Sequence, residues 1–94
     1  MLNSNITNIK LPVAKEYSGT MTVPAGGING TWIGTYAPKG YKIASYSLLN
    51  SGVGYVDAGV ASFSGEGTTY IIFKSNHTAE LTVNFILSVI YMPI

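Results

Sequence analysis

The stretch LTVNFILSVIY, Leu81 to Tyr91, decides how the rest of the chain is read. Large apolar residues stand at every second position: Leu81, Val83, Phe85, Leu87, Val89 and Tyr91. A period of two is that of a β-strand with one buried face. The intervening residues, Thr82, Asn84, Ile86, Ser88 and Ile90, begin polar and turn apolar. The first set is expected to fill the core. Ile86 and Ile90 are expected to meet something beyond it, a second sheet or a neighbouring subunit.

Shorter strands are read beside this one. Val13–Val23 gives one or two strands, with Gly19 as a candidate bulge. In PAGGINGT, residues 24–31, the Asn29-Gly30 pair signals a turn, because both residues tolerate positive φ. TWIGTYA, residues 31–37, alternates Trp32, Gly34 and Tyr36 against Ile33, Thr35 and Ala37. The segment Ala37-Pro38-Lys39-Gly40 reads as a turn with Pro at its second position. Residues 41–49, YKIASYSLL, then read as the return strand of a hairpin.

NSGVG, residues 50–54, is a loop, and residues 55–64 form a strand rich in small residues. Gly59 and Ala61 are placed there on the face of Tyr55 and Phe63. Gly65-Glu66-Gly67 is a tight turn. Residues 68–74, TTYIIFK, are apolar on both faces, as suits a central strand. Residues 75–80 are the last loop. Turn signals every 8–13 residues and no capped amphipathic helix predict an all-β domain. The expected fold is a small antiparallel β-sandwich or Greek-key barrel, jelly-roll-like, over residues 13–94. Residues 1–12 are read as an arm or neck remnant, with Leu2, Ile6 and Ile9 at helical spacing.

The chain has 94 residues and no cysteine, so disulfides and thiolate metal sites are excluded. Charged residues make up 10% against 47% apolar, so a single copy has too few charges to cover its surface. That imbalance predicts self-association. Five lysines and no arginine give a net charge of +1. Without arginine or a basic run, a nucleic-acid partner is not expected. The apolar run 85–94 is too short to span a bilayer as a helix, so no membrane insertion is expected. No charged start followed by an apolar run marks a signal peptide. Three Asn-x-Thr triplets, at Asn5, Asn29 and Asn76, are put down to the abundance of both residue types.

No catalytic motif is present. His77 is the only histidine, and the acids are Glu16, Asp57, Glu66 and Glu80. There is no G-x-S-x-G elbow, no paired carboxylates and no metal-ligand spacing. The chain is therefore expected not to be an enzyme and to carry no cofactor or metal.

Aromatic residues are in surplus, with seven tyrosines and one tryptophan. A flat ring with a polar edge suits stacking on sugars or protein. Trp32, Tyr36, Tyr41 and Tyr46 flank the Pro38 turn. Core packing is weighed equally with ligand stacking for Trp32, and above it for Tyr46. Asp57 lies within a strand, where a carboxylate needs a hydrogen-bonding partner or a groove. Asp57, His77 and Trp32 would suit sugar hydroxyls and a sugar face if the fold joined them.

In size, absence of cysteine, low charge, short Gly/Ser/Thr-rich strands and a closing strand AELTVNFILSVIYMPI, residues 13–94 resemble the C-terminal head domains of phage receptor-binding proteins. These are the tail-tip or baseplate adhesins of phages infecting Gram-positive bacteria. The resemblance implies a homotrimer on the virion, made in the host cytoplasm, that binds host cell-wall saccharide without chemistry. Ligand-binding residues would then be drawn from Trp32, Tyr36, Tyr41, Asp57 and His77. The competing expectation is a structural module of a phage tail, fibre or capsid with contacts to protein only.

Overall fold

A computed structural model describes residues 10–64 and 67–94. The expected neck at Leu2–Ile9, the Asn5 triplet and the turn residues Gly65 and Glu66 lie outside the described residues. Lys10–Pro12 carry no regular structure. Six strands follow: β1 (Val13–Val23), β2 (Ile28–Gly34), β3 (Tyr41–Asn50), β4 (Val56–Phe63), β5 (Thr68–Ser75) and β6 (Leu81–Pro93). They form two three-stranded antiparallel sheets, ordered β1-β6-β3 and β2-β5-β4. The all-β reading holds.

β6 is the centre of its sheet and pairs along both edges. Val83, Phe85, Leu87, Val89 and Tyr91 are all buried, as the alternation requires. They face Ile71 and Phe73 of β5, and the Phe73 and Phe85 rings lie 5.5 Å apart. Burying each such side chain stabilises the fold by about 1.5–3 kcal/mol. β5 is the centre of the second sheet, as its two-sided apolarity implied.

The strands stack as nested partners. β1 pairs with β6 and β2 pairs with β5. β3 lies over β4, with the Tyr46 and Phe63 rings 6.1 Å apart and Asn50 Nδ2 donating to the Val56 carbonyl at 3.2 Å. First with last, second with fifth and third with fourth is the order of a jelly roll, an antiparallel ribbon folded over itself. The chain changes sheet at every connection except β4 to β5.

That topology corrects the expected hairpin across Pro38. β2 and β3 belong to different sheets, because each pairs with a more apolar central strand than the other offers. The turn also sits one residue later than expected. Tyr41 N–H donates to the Pro38 carbonyl at 2.9 Å, and Gly40, with φ 84°, holds the third position. Only glycine takes that φ without strain.

Asn29-Gly30 is inside β2, not in a turn. The turn is Pro24–Gly27, closed by Gly27 N–H on the Pro24 carbonyl at 3.0 Å, with Gly26 at φ 60°. Asn29 instead spans the two sheets: its Nδ2 donates to the Thr22 carbonyl at 2.8 Å. Gly19 is not a bulge either, since β1 runs in unbroken register with β6. Its lack of a side chain makes room for Phe85, whose ring would be 2.9 Å from a Cβ there. The bulges are elsewhere, between Ile43 and Ser45 in β3 and between Val60 and Ser62 in β4.

Candidate functional site

Both bulges fall on strands that share one side of the sandwich, and both shift the alternation by one residue. In β4, Val56, Ala58 and Val60 oppose the buried residues Ser75, Phe73 and Ile71. Ala61 is the inserted residue. Phe63 therefore opposes buried Thr69 and faces inward, where strict alternation would turn it outward with Asp57 and Gly59. In β3 the extra residue is Ala44. Ile43 faces inward against Tyr91, and Tyr46 rather than Ser45 resumes the inner face against Val89. A bulge bends its strand and re-aims the next side chain.

Between these two strands and the Pro38 crossing lies an open groove of about 430 Å³. Tyr36, Tyr41, Ile43 and Phe63 supply its apolar walls, and Lys42 and Ser64 supply polar groups. Tyr36 is 60% and Phe63 64% exposed. Tyr41 is half-buried, and its hydroxyl donates to the Leu11 carbonyl at 2.9 Å. Lys10 Nζ lies 6.0 Å from the Tyr41 ring centroid. Gly67 is buried at φ 103°, and a Cβ there would be 2.8 Å from Tyr36 Cα. Glycine at this point lets the Tyr36 backbone close against the turn.

A buried polar network lies behind the groove and meets its lining at Gly67. Thr35 Oγ1 donates to the Gly67 carbonyl at 2.7 Å and lies 2.7 Å from Thr69 Oγ1. Thr69 Oγ1 is 3.3 Å from the Tyr46 hydroxyl. The Tyr91 hydroxyl donates to the Thr35 carbonyl at 2.7 Å, which leaves Tyr17 to donate across the 2.7 Å contact with Tyr91. Burial first, then the Tyr17 hydrogen bond, pushes the Tyr91 hydroxyl well above its ordinary pKa. The network joins β6 and β1 of one sheet to β5 and the β2 exit of the other. No described buried side-chain N or O lacks a partner, so the interior behind the groove is fully hydrogen-bonded.

The outer face of the β2-β5-β4 sheet is a second aromatic surface. Trp32 is 54% exposed, and its ring lies 5.1 Å from that of Tyr70, its cross-strand partner. Tyr70 crosses Gly30, where a Cβ would stand 2.5 Å from its hydroxyl. Asp57 is exposed on the same face, opposite Lys74, so two unlike charges are cross-strand neighbours. From the register, Asp57 and Trp32 are four residues and two strands apart, roughly 16 Å. The bulge takes Phe63 off the Asp57 face. Tyr55 is in the turn before β4, where its ring meets that of His77 edge-on at 4.7 Å.

His77 lies in the loop after β5, at the end of the sandwich remote from the groove. Its Nδ1 accepts the Ala79 N–H at 3.1 Å. The fold therefore gathers Tyr36 and Tyr41 in the groove and places Trp32 on the sheet that leads to it. It does not bring Asp57 or His77 to either ring cluster. Phe63 and Lys42 were not singled out from sequence. Only the register shows the bulge at Ala61 and which side chain it turns inward.

In chemical terms the groove offers flat rings, an ammonium and a hydroxyl around a concave space. It can stack on the apolar face of a small ring and hydrogen-bond its rim. Comparison with protein families, with curated proteins and with solved structures finds no match for this chain.

Proposed function

We propose that the domain binds saccharide and does no chemistry on it, as the head of a phage tail adhesin that recognises the cell wall of a Gram-positive host. The observation that carries this reading is the ring-lined groove beside Lys42 and Ser64. Two strand bulges and a buried polar network shape it, which is more structure than a chance surface dent requires. The jelly-roll order adds an analogy of fold, since lectins and virion proteins share that architecture. Virion placement and the homotrimer rest on the resemblance in composition and closing strand.

The test is binding of the purified domain to immobilised cell-wall polysaccharides from several Gram-positive species. The wild type should bind at least one in a saturable way. Phe63→Ala and Tyr41→Ala should each weaken it about tenfold, the loss of roughly 1.4 kcal/mol of stacking. If the wild type binds none of them, the reading fails. A purely structural module with protein contacts is the second reading. It draws on the exposed Leu49, Ile86 and Met92 on the outer face of the β1-β6-β3 sheet. Binding to protein but to no polysaccharide would select it.

A further inference from the structure

Trp32, Gly34 and Tyr36 occupy alternate positions on the outward side of β2 and its exit. Trp32 opposes Tyr70 and Gly34 opposes Thr68 in the sheet. The Tyr36 ring does not project away from this line. Its Cε2 and Cδ2 would be 3.5 and 3.8 Å from a Cβ at Gly34, so the ring leans back over the glycine towards Trp32. Its other edge meets Gly67, with Cδ1 3.0 Å from a Cβ there, at the mouth of the groove. Tyr36 therefore belongs both to the sheet face and to the groove. The Trp32 and Tyr36 Cα atoms are about 13 Å apart by strand geometry, and the ring over Gly34 fills much of that interval.

We infer that the two aromatic surfaces are one continuous binding track, and that the ligand is a saccharide chain rather than a terminal sugar. Resting on the saccharide reading, the track runs from the Trp32–Tyr70 pair, across Tyr36, to Phe63 and Tyr41. Glycines keep it clear: Gly30 under Tyr70, Gly34 under Tyr36, and Gly59 with open space above it. A β-branched or long side chain at Gly34 would displace the Tyr36 ring and break the path. A ligand confined to the groove would not need exposed rings ranked along β2. A chain lying across all of them would.

Trp32 is the sole tryptophan, so it reports on the sheet end of the track alone. Hydrolysates of Gram-positive cell-wall polysaccharide, fractionated from monosaccharide to octasaccharide, serve as probes. Affinity should climb at least about tenfold between the disaccharide and the hexasaccharide. The longer fractions should also shield Trp32 from iodide quenching. Trp32→Ala should cut hexasaccharide affinity about tenfold and leave disaccharide affinity unchanged, while Phe63→Ala should weaken both. Gly34→Val should flatten the length dependence. If disaccharide and hexasaccharide bind equally and Trp32 stays open to iodide, the continuous track is wrong and the groove alone is the site. If no fraction binds, the saccharide reading falls and the track falls with it.

Discussion

Tyr91 shows how one side chain couples stability to the site. It is fully buried between the sheets, yet its hydroxyl reaches the carbonyl of Thr35, the chain neighbour of the groove residue Tyr36. Removing that hydroxyl leaves an acceptor on Thr35 and a donor on Tyr17 without this partner. Tyr91→Phe should cost about 1–3 kcal/mol, read as a lower urea midpoint with an unchanged slope. The same group sets an alkaline limit. Its folded pKa is raised above the unfolded value of 10.0, so the folded state holds the proton more tightly. The associated stability is complete below pH 10 and is lost as pH rises through the folded pKa. Wild type should therefore lose stability progressively above about pH 10, and Tyr91→Phe should show a smaller fall in the same range. An identical alkaline profile in both proteins would remove Tyr91 as the cause.

Among the strands, the bulges matter more than the regular pairs. Strand phase fixes which side chain reaches the groove, and one residue reverses it. Inserting one alanine between Ser62 and Phe63 should carry Phe63 one pairing further, from Thr69 to Thr68, and turn it to the outer face with Asp57 and Gly59. The expected result is a folded domain with unchanged far-ultraviolet dichroism and groove binding at the level of Phe63→Ala. Retention of full affinity would mean that Phe63 does not need the inward position. The same logic explains what could be read beforehand. The alternation of Leu81–Tyr91 and the two-sided apolarity of Tyr70–Phe73 mark both central strands, because burial on one or two faces writes itself directly into residue type. The Pro38 crossing could not be read as a crossing, since a turn residue records a change of direction and not which sheet the chain enters next. The shifted phase of Phe63 was hidden for a related reason. Alanine is compatible with both a paired and a bulged position, so Val60-Ala61-Ser62 carries no mark of the insertion.

For the whole molecule, charge is scarce on every face, and the outer face of the β1-β6-β3 sheet carries Glu16, opposite Ser88, and Lys42, opposite Met92. Among the described residues, Lys10 and Lys42 flank the groove, and Asp57 and Lys74 oppose each other on the outer face of the β2-β5-β4 sheet. On the outer face of the β1-β6-β3 sheet, Leu49 is 65% exposed and opposes Ile86 across the strands, with Met92 further along. Asn84, Ser51 and Asn50 border the Leu49–Ile86 pair, so it is an apolar strip with a polar rim. A rimmed apolar strip of this kind suits contact between copies, and it lies across the sandwich from the Trp32–Tyr70 face, at the far end of β3 from Tyr41. Copies joined there would leave every track open, as a multivalent adhesin requires. The wild type should therefore sediment at a multiple of 10.0 kDa, three-fold if the trimer is right. Leu49→Lys combined with Ile86→Lys should give a folded single copy with unchanged affinity for a short oligosaccharide and much weaker retention on whole cell walls. A wild type that sediments as one copy at every concentration would leave the strip without an occupant. The proposed saccharide binding would then work through a single track.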